Sequence, residues 1–335
     1  GHAIAKLACR NHRNSSISKI SLMLNAYLYL FYSIPHGLAR GLSKKDDKIR
    51  KKTRAKPLRH PFGMPPLLVR EARSAGEVFI EEGNYMETQY FKDYSPALGR
   101  EMECKVYGHA GRPMLFIPCQ DGRFFDFEDF HMAGTLAPWI ESGQIMVISI
   151  DTIDQETWSD TNGDPYWRIR RYEQWIRYIV EEVVPKIQYI AKERNGWDGL
   201  PGVIAFGCSL GATHAVNLYL RFPYLFDGCL ALSGIYTAKY GFGDYMDEVV
   251  YQNSPVDYMA NFPTDHPYMD LYRSRKAVIC CGQGAWEQPD TTRQLKQIFE
   301  QKGIPVWVDL WGYDVKHDWD WWYQQAVYYM PYILG

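Results

Sequence analysis

Residues 203–214 read VIAFGCSLGATH, and the architecture of the chain follows from them. The run 203–206 is continuously apolar, as a buried strand would be, and 210–220 continues with helical character. Between the two, Gly207-Cys208-Ser209-Leu210-Gly211 satisfies G-x-S-x-G in the setting that the motif requires, a strand before and a helix after. So tight a turn puts the serine in a strained conformation, and only residues without side chains let the two segments approach. The new helix then offers the Leu210 N–H and the positive end of its dipole to a developing oxyanion. Ser209 is the candidate nucleophile.

Strands and helices alternate on both sides of this turn. Residues 101–107 alternate apolar and polar like a half-buried strand, while 113–118 and 145–150 are short apolar runs. Further runs at 229–232, 277–281 and 306–310 complete the strand set. Helical spacing appears in 168–192, through Ile169, Tyr172, Ile176, Ile179, Val180, Val183 and Ile187, and again near 291–302 and 319–330. Such alternation calls for an α/β fold, a mainly parallel sheet with helices on both faces.

A serine nucleophile needs a base and an acid, which follow it in chain order in this type of fold. His317 follows the last strand and precedes the final helix, where that base belongs; His266 lies in a proline-bracketed loop and reads as surface. The acid should lie on the loop after 277–281, where Glu287 is the first choice and Asp290 the rival, a helix cap explaining Asp290 without catalysis. A second oxyanion donor should come from the loop 119–125, from the backbone of Gly122 or Arg123, unless that Asp-Gly is a plain turn. Trp158, Trp167, Trp286 and Trp319 are candidate pocket walls, and 233–275, rich in Tyr, Met and Phe, is a candidate lid or partner surface. His214, one turn into the elbow helix, reads as a core residue.

The charge is unevenly placed. Residues 1–60 hold 14 of the 37 Lys and Arg but 2 of the 39 Asp and Glu, so a leader near +12 precedes a body near −14. The total of −2 argues against a dedicated nucleic-acid binder. Within the leader, 20–34 is apolar and follows a basic segment, the layout of a signal-like leader, but it is short for a membrane span. We expect 1–64 to be a basic N-terminal extension, leader-derived or carried over from cloning, and 65–335 to be the catalytic domain. Seven cysteines without C-x-x-C spacing argue against a zinc site and for a reduced, cytoplasmic body, with export the alternative if 1–40 acts as a leader. No metal and no organic cofactor is expected.

Three segments together carry a resemblance. Gly207–Gly211, CCGQGAWE at 280–287 and HDWDWW at 317–322 resemble the nucleophile elbow, acid loop and histidine loop of the esterase branch of the α/β hydrolases, which includes esterase D, feruloyl esterases and mycolyltransferases. RYEQW at 171–175 and EVVP at 182–185 are similar to the helix that precedes the elbow in that branch. The run from Tyr107 to His317 resembles that of one bacterial esterase group almost motif by motif. The resemblance implies an α/β-hydrolase fold and a serine carboxylesterase working through an acyl-enzyme on Ser209, with His317 as base and Glu287 orienting it. Short-chain or aromatic, hydroxycinnamoyl-type esters are the expected substrates. The alternatives are an acyltransferase to a sugar or alcohol with the same three residues, and a non-catalytic binding protein that keeps the fold. The expected partner is a small-molecule ester, with a homo-oligomer left open, and without nucleic acid or stable membrane insertion.

Overall fold

The structure, a computed structural model, describes residues 86–335; the leader 1–64 and the domain boundary expected at 64/65 lie outside the described residues. Eight strands among the described residues form one sheet: β1 (Thr88–Ser95), β2 (Arg100–Tyr107), β3 (Arg112–Ile117), β4 (Ile145–Ile150), β5 (Val203–Cys208), β6 (Phe226–Leu232), β7 (Lys276–Cys281) and β8 (Trp307–Leu310). Their spatial order is β1-β2-β4-β3-β5-β6-β7-β8. β2 runs antiparallel to both of its neighbours, and β4 to β8 and β3 pair in parallel.

The continuous apolar runs are explained by burial on both faces. Along the parallel strands Leu115, Ile117, Ala205, Ala231 and Ile279 point into one core, and Met114, Phe116, Phe206, Leu230 and Val278 into the other. The first core is covered by α2 (Pro165–Tyr178), α3 (Val184–Asn195), α4 (Leu210–Arg221) and α5 (Asp290–Lys302); the second by α1 (Met132–Glu141) and α6 (Trp319–Leu334). Two cores on one sheet leave the strands no solvated face, so the alternation that usually marks a strand vanishes from their sequence.

Some elements differ from expectation. The helix expected over 168–192 begins earlier, at Pro165, with Asp164 capping the Tyr166 N–H, and is interrupted by a π-helical turn at Ile179–Val183. Pro185 follows directly and has no N–H to give to the ladder, so the widened turn sits where a donor is missing. β1 was not anticipated: seven of its eight residues are exposed or half-buried, so this edge strand carries no apolar pattern. The region 233–275 folds into short helices, Lys239–Phe242, Glu248–Tyr251, Pro255–Ala260 and Tyr268–Ser274. Tyr236, Val250, Met259 and Tyr272 from it are fully buried in the first core, so it is packed scaffold more than a free lid.

Candidate active site

The loops that leave the C-terminal ends of β3, β5, β6, β7 and β8 converge, the usual place for a site in an open α/β sheet. At the end of β5 the turn into α4 places Ser209 at φ 56°, ψ −128°, a strained conformation for a residue with a side chain. Both flanking glycines are sterically required. A Cβ on Gly207 would sit 2.3 Å from the Gly211 carbonyl, and one on Gly211 would sit 2.2 Å from the Ile117 carbonyl oxygen on β3.

Ser209 Oγ lies 2.9 Å from His317 Nε2, and His317 Nδ1 lies 3.2 Å from Glu287 Oε2. These are the three residues that sequence reasoning singled out, brought together from 209, 287 and 317. The acid loop and the histidine loop are stitched by their backbones: Gly284 N–H donates to Val315 O and His317 N–H to Ala285 O. The Glu287 side chain is 1% exposed, and its other oxygen accepts from the Gly282 N–H (3.1 Å) and the Ser233 hydroxyl (2.7 Å). Burial pushes the Glu287 carboxyl up, but hydrogen bonds from His317 and Ser233 and the imidazole charge outweigh it, holding the group below the ordinary carboxylate value.

Sequence reasoning missed Ser233 and Trp322. Ser233 follows β6 at φ 60°, accepts from Trp322 Nε1 at 3.0 Å and donates to Glu287. The Trp322 ring packs edge-on to His317, with centroids 4.9 Å apart. Only the W-x-x-W spacing around His317 hinted at Trp322; nothing marked Ser233. Asp290, the rival acid, is the first residue of α5, with its side chain 88% exposed and paired to Arg293. His266 reaches none of the three residues; its ring accepts from the Tyr268 N–H.

A cleft of about 220 Å³ opens over Ser209. Gln120, Leu210, Thr213, Ser233, Ile235, Tyr240, Trp286, Gln288 and His317 line it. The expected oxyanion donors Gly122 and Arg123 are corrected here, because both amides are committed: Gly122 N–H donates to Cys119 O, and Arg123 N–H to Asp126. Asp121 N–H goes to Asp154 and Phe124 N–H to Asp151. The Cys119 and Gln120 N–H groups have no acceptor among the described residues, and of these two residues Gln120 lines the cleft beside Leu210, which as the first residue of α4 has no intrahelical acceptor for its own N–H.

The four tryptophans expected at the pocket divide. Trp286 lines the cleft, 87% exposed and in a left-handed conformation at φ 67°. Trp158 is instead buried against Tyr172, His214 and Phe242; Trp167 stands on the exposed side of α2 against Tyr166; Trp319 stacks on Phe130. Among the described residues no cluster of His, Cys, Asp and Glu is set to hold a metal ion, and no helix is long and apolar enough to cross a membrane.

The sheet order, the elbow at β5 and the convergence of loops define an α/β hydrolase. The family model described as "Putative esterase" matches residues 95–328, most of the chain, and the protein belongs to that family. Membership carries ester hydrolysis, with small-molecule esters as substrates. None of the curated protein sequences matches the chain. Among solved structures, a ferulic acid esterase is similar at a TM-score of 0.57 and 16% identity, over 74% of this chain and 98% of that one. An S-formylglutathione hydrolase from Agrobacterium tumefaciens is similar at 0.56 and 14%, over 75% and 96%. MPT51 from Mycobacterium tuberculosis is similar at 0.54 and 14%, over 74% and 98%. At these identities the likeness is one of fold.

Proposed function

We propose that the protein is a serine carboxylesterase that works through an acyl-enzyme on Ser209. The observation that carries this reading is the contact of 2.9 Å between Ser209 Oγ, at the tip of a strained elbow, and His317 Nε2. Ser209 Oγ attacks the ester carbonyl carbon while His317 Nε2 takes its proton. The carbonyl oxygen, now negative, is held by the amides of Leu210 and Gln120. Collapse of this intermediate breaks the bond to the alcohol, which leaves with the proton from His317. Water then attacks the acyl-enzyme, giving up a proton to His317, and the acid departs as that proton returns to Ser209. Glu287 holds the imidazole and balances its charge while it is protonated.

Two features bear on the ester. A cleft of about 220 Å³ suits a short acyl group in full or one flat ring lying partly in the open. Trp286 offers a flat apolar face at its mouth, which suits an aromatic acyl group of the hydroxycinnamoyl kind. We place the enzyme in a reducing compartment, the cytoplasm; six free cysteines among the described residues support this.

The test is a panel of p-nitrophenyl and hydroxycinnamoyl esters, run with and without a sugar acceptor, beside fluorophosphonate labelling. We expect hydrolysis to the free acid, one label per wild-type chain and none on Ser209→Ala. No turnover and no labelling of wild type, or equal labelling of Ser209→Ala, overturns the proposal. Acyl transfer to the sugar in place of hydrolysis would make the enzyme an acyltransferase with the same residues.

A further inference from the structure

One buried ionisable pair takes no part in the chemistry above. His214 on α4 is fully buried, and its partner Asp154, in the loop after β4, is 2% exposed. His214 Nε2 lies 3.1 Å from Asp154 Oδ1, and His214 Nδ1 lies 2.8 Å from the Tyr172 hydroxyl on α2. Trp158, Tyr172 and Trp175 pack their rings around the imidazole, with centroids 5.1–5.6 Å away. An aromatic enclosure of this kind is a costly place for a carboxyl and an imidazole unless each is fully hydrogen-bonded.

The second oxygen of Asp154 shows what the pair is attached to. Asp154 Oδ2 accepts from the Asp121 N–H at 3.1 Å, in the loop after β3. The Asp154 carbonyl also accepts from the Ser159 N–H at 2.8 Å, and Ser159 Oγ accepts from Gln120 Nε2 at 2.8 Å. Asp154 therefore holds Gln120 by two routes, one through the neighbouring peptide and one through the Gln120 side chain. Asp121 itself stands at φ 62°, a conformation that needs such an anchor to persist. On its other side Asp154 is tied by His214 to the helix whose first residue is Leu210. The Asp154 carboxyl thus joins the loop that carries Gln120 to the helix that begins at Leu210, and both residues line the cleft.

We propose that Asp154 is a positioning residue that fixes the Gln120 amide relative to the Leu210 amide, with His214 coupling it to the nucleophile helix. The inference rests on the esterase reading, since it concerns stabilisation of that reaction's oxyanion. An amide that must meet the oxyanion at hydrogen-bond distance loses most of its value if the loop carrying it drifts. An asparagine at 154 turns its NH2 toward one of the two partners: against the Asp121 N–H it sets donor to donor, and against His214 it fits only if the imidazole moves its proton from Nε2 to Nδ1 and donates to Tyr172.

The experiment measures kcat, KM and the inhibition constant of a trifluoromethyl ketone, a mimic of the tetrahedral state, for wild type, Asp154→Asn, His214→Phe and His214→Gln, with thermal melts of each. Losing one oxyanion donor costs about 100-fold or more in kcat, and we expect Asp154→Asn to approach that with KM within about threefold. The ketone should weaken in step with kcat/KM, while binding of the product carboxylate stays as in wild type. His214→Phe, which fills the enclosure but bonds to nothing, should lower kcat about tenfold, and His214→Gln, which keeps a donor toward Asp154, should restore most of it. The proposal is overturned if folded Asp154→Asn keeps both kcat and ketone affinity, if product binding falls equally, or if His214→Gln is no better than His214→Phe. Should Asp154→Asn fail to melt cooperatively, the His214 pair decides by the same criteria. A wild type that neither turns over any ester nor labels would overturn the esterase reading instead, so the two failures are distinct.

Discussion

The two loops that bring Gln120 and Leu210 to the cleft are held in opposite ways. The elbow at 207–211 is fixed by sterics: a Cβ on Gly207 would sit 2.3 Å from the Gly211 carbonyl and one on Gly211 would sit 2.2 Å from the Ile117 oxygen of β3, with a helix beginning at once. The loop at 119–124 has no such device. Three of its amides are held by carboxyls, of which Asp126 is nearby while Asp151 and Asp154 arrive from beyond β4, some thirty positions along the chain. Close backbone approach leaves a signature in the sequence, because glycines at fixed spacing are needed to permit it. Hydrogen bonds to remote carboxyls leave none. A loop held only by such bonds is also the easier of the two to loosen without unfolding the sheet.

Substitutions can strain this contrast, beginning with the most damaging. Gly211→Ala drives a Cβ to 2.2 Å from the Ile117 oxygen, which must displace α4 or β3. We expect activity to fall by about a thousandfold or more and stability by about 3 kcal/mol, read by ester turnover and chemical denaturation. If Gly211→Ala is mild, the elbow is not held by sterics.

Glu287→Gln removes charge from the acid loop, which is fixed both by backbone stitching and by side-chain bonds. Turnover should fall by about three to four orders of magnitude with the fold intact. The pH dependence has a definite sign. The native carboxyl lies below its ordinary value of 4.5, so its ionised form stabilises the fold above that value, and the benefit is lost as pH falls through the lower native value. Wild type should therefore lose melting temperature in that acid range more steeply than Glu287→Gln.

Asp151→Asn acts on the other loop, weakening the hold on the Phe124 N–H and the Arg123 side chain. We expect kcat down about tenfold with KM little changed, because the loop is loosened while the cleft stays. An effect as large as that of Gly211→Ala would erase the contrast between the loops. Ser233→Ala, which takes one hydrogen bond from Glu287, should cost about fivefold in kcat and shift the Glu287 carboxyl upward, visible as a flatter acid-side loss of melting temperature. Asp290→Asn should change kcat by less than about twofold, since it breaks only an exposed pair with Arg293. A large loss there would return Asp290 to the site in place of Glu287.

How much could be read in advance follows from the same physics. Strands β2 to β8 were legible because continuous or alternating apolar runs mark them, and Ser209, Glu287 and His317 were legible because each follows one of those strands. β1 was not, because an edge strand with little buried surface needs no pattern. α1 was not, because His131, the residue before it, is left-handed (φ 59°) and offers no side-chain cap to announce the helix. The tryptophans show the limit most plainly. All four stand near motifs, yet Trp158 fills the core, Trp167 and Trp319 pack elsewhere, and Trp286 alone among them reaches the cleft.

By itself the sequence determined the fold class, the elbow, and the order serine, acid, histidine, because close approach, burial and strand-end position each demand particular residue types at fixed spacing. The tertiary structure decided which amides of 119–124 are bonded within the loop and to remote carboxyls, which aromatic rings line the cleft, and which partners Ser233, Asp154 and His214 find. Those outcomes depend on which remote acceptors claim each donor and which rings find space in the core, and neither competition is settled by neighbours along the chain.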